Sequence, residues 1–333
     1  MATLVGAVAL AFAAPAADAR TLPLTPTVKE RLAGADRFGT AVAVSMNAYQ
    51  DTAPVVYLTN GVNFPDALSA GPVAARQGGP VLLSKWDQVP DATIAEIERL
   101  SPKKIVLVGG TSALAPSVEK WANSLAEQVV RIAGSDRFDT SRRLAEESFT
   151  APVSTVYLAT GRDYPDALSA GAAAAKAGGP VLLVDGDADR LDAATAATLA
   201  KLAPGKLVIA GGPSAVSDGI LAQAKSMVPA SSRVAGMDRF ETSAAIGDTF
   251  GAAKHGYVAS GWNFPDALVG SALAGRNGEP LYVIHPYCQP DSTADSQRML
   301  GVTQVSIIGG PASIVDAAAT QLCSRVVSSQ VLP

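Results

Sequence analysis

Basic side chains return at three places along this chain, 100 to 102 residues apart: Arg31, Arg131 and Arg233; Arg37, Arg137 and Arg239; and Arg76, Lys176 and Arg276. A guanidinium fork matches phosphate or carboxylate geometry, so a recurring arginine is a candidate for holding an anion, with an internal ion pair as the competing use. Asp66, Asp166 and Asp266 recur 100 residues apart, each following a proline at an expected helix start. A carboxylate there serves either to cap the helix or pair with a charge of a neighbouring unit, or to contact a ligand directly. The paired glycines Gly109-Gly110, Gly211-Gly212 and Gly309-Gly310 close apolar strands. Backbone amides between a strand and a helix favour an anion, and tight turns need glycine on steric grounds alone. Thr40, Thr140 and Thr242 suit local hydrogen bonding, and Phe38, Phe138 and Phe240 suit the core.

Other chemistries are poorly supplied. The only histidines are His255 and His285, outside any H-E-x-x-H setting, which leaves scarce material for catalytic zinc or a Ser-His-Asp triad. No GxGxxG and no Walker lysine is present, and two cysteines with two histidines are too few ligands for zinc, so no cofactor and no metal is expected. A net charge of -4 disfavours nucleic acid as a partner.

The elements that must position these residues repeat three times. RLAGADRFGT from Arg31 returns as RIAGSDRFDT from Arg131 and RVAGMDRFET from Arg233. NFPDALSAG from Asn63 returns as DYPDALSAG from Asp163 and NFPDALVGS from Asn263, and VLVGGTSAL from Val106 returns as VIAGGPSAV from Val208 and SIIGGPASI from Ser306. Residues 55–84 and 155–184 share 19 identities in 30 gapless positions, so the chain is a triplication of a unit of about 100 residues. Within each unit, short apolar strands alternate with helices: four of each, an α/β unit with a parallel-type sheet covered on both faces. The units are read as 28–128, 129–230 and 231–333. The stretch Val326 to Leu332 matches the strand that opens each unit and is expected to close the last one, while the first unit supplies its own opening strand near Lys29 to Ala33.

Residues 1–19 read as a signal peptide: an apolar run from Leu4 to Ala14, then Ala17-Asp18-Ala19 before Arg20, although no basic residue precedes the run. No later segment is apolar for long enough to span a membrane. In an exported chain, Cys288 and Cys323 point to one disulfide. Chain direction works against that pairing, because in a regular unit Cys323 would end a helix running back toward the opposite edge of the sheet from Cys288.

With GxDRFxT, [NF/DY]PDALS, GGPVLL and the strand-GG turn in order, the sequence resembles the type 2 cell-wall-binding repeat family over about residues 28 to 333. The family's Pro-Ile-Leu-Leu hallmark has counterparts at Pro80-Val81-Leu82-Leu83 and Pro180-Val181-Leu182-Leu183 and a divergent Pro280-Leu281-Tyr282-Val283. The resemblance implies three α/β units about a pseudo-threefold axis, on a secreted surface protein of a Gram-positive bacterium. It further implies non-covalent attachment to an anionic wall polymer, of secondary-wall-polymer or teichoic type, by a monomer. The motifs leave about ten residues between the expected cleavage point and the first unit, so the chain reads as a bare, non-enzymatic anchor. A cell-wall hydrolase or hydrolase modifier and a structural surface-layer component are the alternatives.

Overall fold

The computed structural model describes residues 25–63 and 65–326. The expected signal peptide, Phe64 and residues 327–333 of the expected closing strand lie outside the described residues.

Each repeat folds as four turns of the same βα alternation. The first contains β1 (Thr27–Leu32), α1 (Arg37–Ala48), β2 (Val55–Asn60), a 3-10 turn (Ala67–Ser69) leading into α2 (Ala70–Gln77), β3 (Val81–Ser84), α3 (Asp91–Leu100), β4 (Lys104–Val108) and α4 (Pro116–Ala122). The second contains β5 (Gln128–Ile132), α5 (Arg137–Ser148), β6 (Thr155–Thr160), α6 (Pro165–Lys176), β7 (Val181–Val184), α7 (Ala193–Leu202), β8 (Lys206–Ala210) and α8 (Asp218–Met227). The third contains β9 (Ser232–Val234), α9 (Arg239–Asp248), β10 (His255–Ser260), α10 (Pro265–Asn277), β11 (Leu281–Ile284), α11 (Asp291–Leu300) and β12 (Gln304–Ile308). It ends with a 3-10 turn (Asp316–Ala319) and the short α12 (Cys323–Val326). Strand β2 is buried at all six positions, as a central parallel strand with helices on both faces requires.

The strands form three parallel four-stranded sheets, ordered β3-β2-β4-β5, β7-β6-β8-β9 and β1-β12-β10-β11. The fourth strand of each sheet comes from the next repeat: β5 runs beside β4 from Lys104↔Gln128 to Val108↔Ile132, and β9 runs beside β8. The third sheet takes its fourth strand from the beginning of the chain, with β1 beside β12 from Thr27↔Gln304 to Leu32↔Ile308. This corrects two sequence expectations at once. The first repeat does not keep its opening strand, and the position beside β12 expected for Val326 to Leu332 belongs to Thr27–Leu32. The opening strands of the second and third repeats follow helices α4 and α8 of the preceding repeat, so the nearest free strand edge is that of the preceding repeat.

Helices α2, α6 and α10 pack against one another on the pseudo-threefold axis. Their composition follows from this. A Cβ on Gly71 would lie 2.2 Å from Ser271 Oγ, and one on Gly275 would lie 2.4 Å from Ala175 Cβ. Larger side chains would force the helices apart. The divergent motif of the third repeat also has a local compensation. Tyr282 is fully buried where the other repeats have Leu82 and Leu182, and its ring occupies the space left at Gly247, whose counterparts are Ser45 and Ala145.

Cys288 and Cys323 are disulfide-bonded, with Cα atoms 4.9 Å apart. The directional objection from a regular unit does not apply, because the last helix of the third repeat shrinks to a 3-10 turn. The chain therefore stays beside the loop after β11, where Gln289 N–H donates to Gln321 O and Cys323 N–H to Gln289 O.

Candidate functional site

In each sheet the chain leaves the central strand for one neighbour and then crosses to the other side, so the order reverses between β2 and β4, β6 and β8, and β10 and β12. Beyond the C-terminal ends of such a strand pair lies the crevice where open parallel sheets bind ligands. Here the connection after the central strand carries Asp66 just before its 3-10 turn, or Asp166 or Asp266 in the first turn of α6 or α10, and the loop after its partner carries the paired glycines. The third wall is the helix start of the following repeat. The middle cleft, about 290 Å³, is lined by Asp166, Gly212, Ser214, Asp238, Arg239 and Thr242 among others. The third, about 150 Å³, is lined by Asp266, Gly310 and Ser313 of the last repeat and by Asp36, Arg37 and Thr40 of the first. In the first cleft Asp66 faces Arg137 and Thr140 of the second repeat.

The aspartates do not cap their helices: Asp66 makes no side-chain cap bond to its 3-10 turn, and α6 and α10 start at Pro165 and Pro265 without a side-chain cap. Their carboxylates pack against the glycine turns instead. A Cβ on Gly109, Gly211 or Gly309 would stand 2.8, 2.4 or 2.5 Å from Oδ2 of Asp66, Asp166 or Asp266, and these glycines have φ of +107°, +109° and +119°. Only glycine satisfies both conditions. Ser313 Oγ donates to Asp266 at 2.7 Å. Burial raises all three aspartates above the ordinary carboxylate range, Asp166 to about 6 with the nearby Asp163 adding to the effect.

Helix capping falls to Asp36, Asp136 and Asp238, which accept from Gly39, Asp139 and Glu241 amides at 2.8, 2.7 and 2.9 Å. Next to each cap, Arg37, Arg137 and Arg239 donate one Nη1 to the carbonyls of Gly61, Gly161 and Gly261 at 2.7, 2.7 and 2.8 Å. Arg239 also lies 3.6 Å from Asp163 of the preceding repeat, and Arg37 and Arg239 sit 5.9 Å from the ring centroids of Phe264 and Tyr164. Thr40, Thr140 and Thr242 accept from the amides of Gly34, Gly134 and Gly236, the local bonding expected of them.

The other basic sets lie elsewhere. Arg31, Arg131 and Arg233 each bond the carbonyl of the first turn glycine, and pair with Asp316, Glu119 and Asp218 respectively. They fasten the fourth strand of each sheet to its neighbour. Arg76, Lys176 and Arg276 stand over the rings of Phe149, Phe250 and Tyr49, at 5.0, 4.7 and 4.3 Å from the centroids. Lys176 is ten residues from Asp166 on one helix, about 15 Å along its axis, so these side chains are not brought to the clefts. Nor does a helix dipole point at the glycine turns: the following helices start only at Pro116 and Asp218, and at Asp316 as a 3-10 turn. The first glycine's amide is already used, donating to Ile132, Val234 or Leu32 carbonyls.

This chain is 27% identical over 306 residues to N-acetylmuramoyl-L-alanine amidase LytC of Bacillus subtilis, covering 91% of this chain and 59% of the relative. It is 27% identical over 292 residues to the amidase enhancer of the same organism, covering 86% of this chain and 39% of that protein. It therefore spans less than two thirds of both. Among solved structures, Cwp6 from Clostridium difficile superposes with a TM-score of 0.81 at 26% identity, covering 89% of this chain and 48% of that one. Cwp8 from the same organism gives 0.78 at 30% identity, covering 85% and 49%. The model of the family "Cell wall binding domain 2 (CWB2)" matches residues 31–119, 131–221 and 233–319, the three stretches that supply the walls of the clefts, and the chain belongs to this family.

Proposed function

We propose that this is a secreted, non-catalytic anchor of the cell wall or cell surface of a Gram-positive bacterium, holding an anionic envelope polymer of secondary-wall-polymer or teichoic type. One observation carries the reading. Three clefts at corresponding sheet switch points each present an arginine, Arg37, Arg137 or Arg239, fixed by one Nη1 to a glycine carbonyl. A guanidinium oriented in this way keeps donors for phosphate or carboxylate, with those of Arg239 partly shared with Asp163 at 3.6 Å. The cleft aspartates and turn glycines shape the floor, and Arg76, Lys176 and Arg276 act as clamps between repeats. The non-catalytic part of the reading rests on near-equivalence of the sites: three copies of a weak contact suit avidity, whereas hydrolysis needs one constellation.

Linked weak sites gain roughly 10² to 10⁴ in overall affinity over a single site. Each of Arg37→Ala, Arg137→Ala and Arg239→Ala is expected to weaken retention on purified walls modestly, and the triple variant to be released. Retention of the wild-type chain is expected to fall as salt approaches 1 M, because exposed charge contacts are screened. Walls stripped of anionic polymer with hydrofluoric acid should not retain the chain. A folded triple variant retained at wild-type strength would overturn the assignment of the arginines.

A further inference from the structure

The three clefts are not chemically alike, and their departures from symmetry converge on the third. In the second repeat Arg162, beside the middle cleft, pairs with Asp185 at 2.6 Å and with Asp187 at 3.1 Å. At the corresponding positions the third repeat has Trp262, His285 and Tyr287, and the first has Val62, Lys85 and Asp87. An ion pair in one repeat is thus replaced by an aromatic cluster in another. Trp262 meets His285 edge to face, with centroids 4.7 Å apart and planes at 79°, and meets Tyr287 at 6.1 Å and 85°. Trp262 is 55% exposed and Tyr287 50%, so two large rings standing at right angles form an open corner.

The corner is held rigidly. Tyr287 immediately precedes the disulfide-bonded Cys288, its own N–H donates to His285 Nδ1 at 3.3 Å, and the His285 ring packs against Phe240. It also adjoins the proposed polymer site. Trp262 precedes Asn263, which lines the third cleft, and the counterparts Arg162 and Asp187 line the middle one.

We infer that Trp262 and Tyr287 form a sugar-stacking subsite at the third cleft, which takes a pyranose ring of the same envelope polymer whose charged groups reach Arg37. The inference rests on the anchor reading and adds to it the class of group recognised. A pyranose presents an apolar face of C–H groups, which an exposed aromatic ring covers, and an equatorial rim of hydroxyls that stays in water. Two perpendicular rings cover a face and an adjoining edge at once. Preorganisation by the disulfide lowers the ordering cost of such a contact. Burial lowers the pKa of His285, so its ring stays neutral at neutral pH and adds no charge beneath the sugar.

The test uses the full chain and two readouts. On purified walls Trp262→Ala and Tyr287→Ala are each expected to weaken binding about tenfold, the size of a stacking anchor's loss. This loss should persist at high salt, where the effect of Arg37→Ala fades, and Trp262→Phe should recover part of it. In a Trp86→Phe background, the neutral oligosaccharides that mild acid releases from the wall polymer should shift the tryptophan fluorescence saturably. The same titration should do nothing in Trp262→Ala. A folded Trp262→Ala chain bound as tightly as wild type, or a shift produced by peptidoglycan fragments and not by the polymer sugars, would overturn the inference. Failure of the wild-type chain to bind walls at all would sink the anchor reading instead, and the oligosaccharide titration would still decide whether the corner stacks a sugar.

Discussion

At the scale of single residues the cleft aspartates are the most informative groups, because their carboxylates face glycine turns and are half-buried at Asp66 and Asp166 and buried at Asp266. Asp166, at about 6 in the folded chain against 3.8 as a free group, binds its proton more tightly when folded. Its contribution therefore favours folding below pH 3.8 and is lost as pH rises to about 6, amounting to roughly 3 kcal/mol at most. Asp166→Asn should consequently gain stability relative to wild type across that interval, and thermal midpoints measured at pH 4, 5, 6 and 7 check this. Asp163, Asp187, Asp238, Arg162 and Arg239 share the cleft's surroundings, so the difference between the two proteins is the quantity to read. Recurrence in the sequence picked out the aspartates and arginines but not their division of labour. Arg31, Arg37 and Arg76 look alike as repeated positive charges. Only the folded chain separates a strand fastener, a cleft arginine and a ring-stacked clamp, since each role depends on a partner from another part of the sequence.

The elements themselves were largely legible, because continuous apolar runs such as Ile105 to Val108 and stops such as Gly178-Gly179 mark strands and helix ends locally. The shrunken last helix was not. Its residues still resemble those of the other repeats, and the 3-10 turn Asp316–Ala319 leads directly to a crosslink set by residues outside the repeat pattern. That crosslink closes a loop with a sequence separation of 35, for which chain entropy suggests a stabilisation of about 4 kcal/mol. Reduction, or Cys288→Ser with Cys323→Ser, should lower the thermal midpoint and raise hydrogen exchange first around the 285–289 loop. The clamps at the far ends of the central helices make a different prediction. Arg276→Ala should cost about 0.5–1 kcal/mol by denaturant titration, as expected for an exposed cation over a ring. It should leave wall retention unchanged, because Tyr49 and not the polymer is its partner; a loss of retention in the folded variant would place Arg276 in the binding surface.

For the molecule as a whole, the family pattern and its threefold arrangement were legible from the repeats, whereas the exchange of strands was not. Each repeat contains four strands by sequence, and nothing in a strand's own residues says which neighbour it joins. The expected closing stretch Val326 to Leu332 is the more apolar of the two, and the actual one, Thr27–Leu32, carries Lys29, Glu30 and Arg31 in a row, so apolar content alone points to the wrong segment. Deleting residues 25–32 should therefore strip protection from β12 and from its neighbour β10, both more than about 220 residues away in sequence, before it affects β6 or β8. Amide exchange read by mass spectrometry tests this directly, and equal loss in all three sheets would count against it.

The seam between β1 and β12 also sets an order of events. Among the described strands β1 comes first in the sequence and its partner β12 last, and each of the other two sheets lacks its fourth strand without the repeat that follows. Completion of each sheet therefore waits on the repeat that follows it, and the final step waits for residues 304–308 to find residues 27–32. The thermodynamic cost of joining such distant segments grows only with the logarithm of their separation, but the search is slow. A chain in which β12 has not yet formed leaves β1 without its partner strand, so the sheet that joins the two ends of the repeat array closes only when all three repeats are in place.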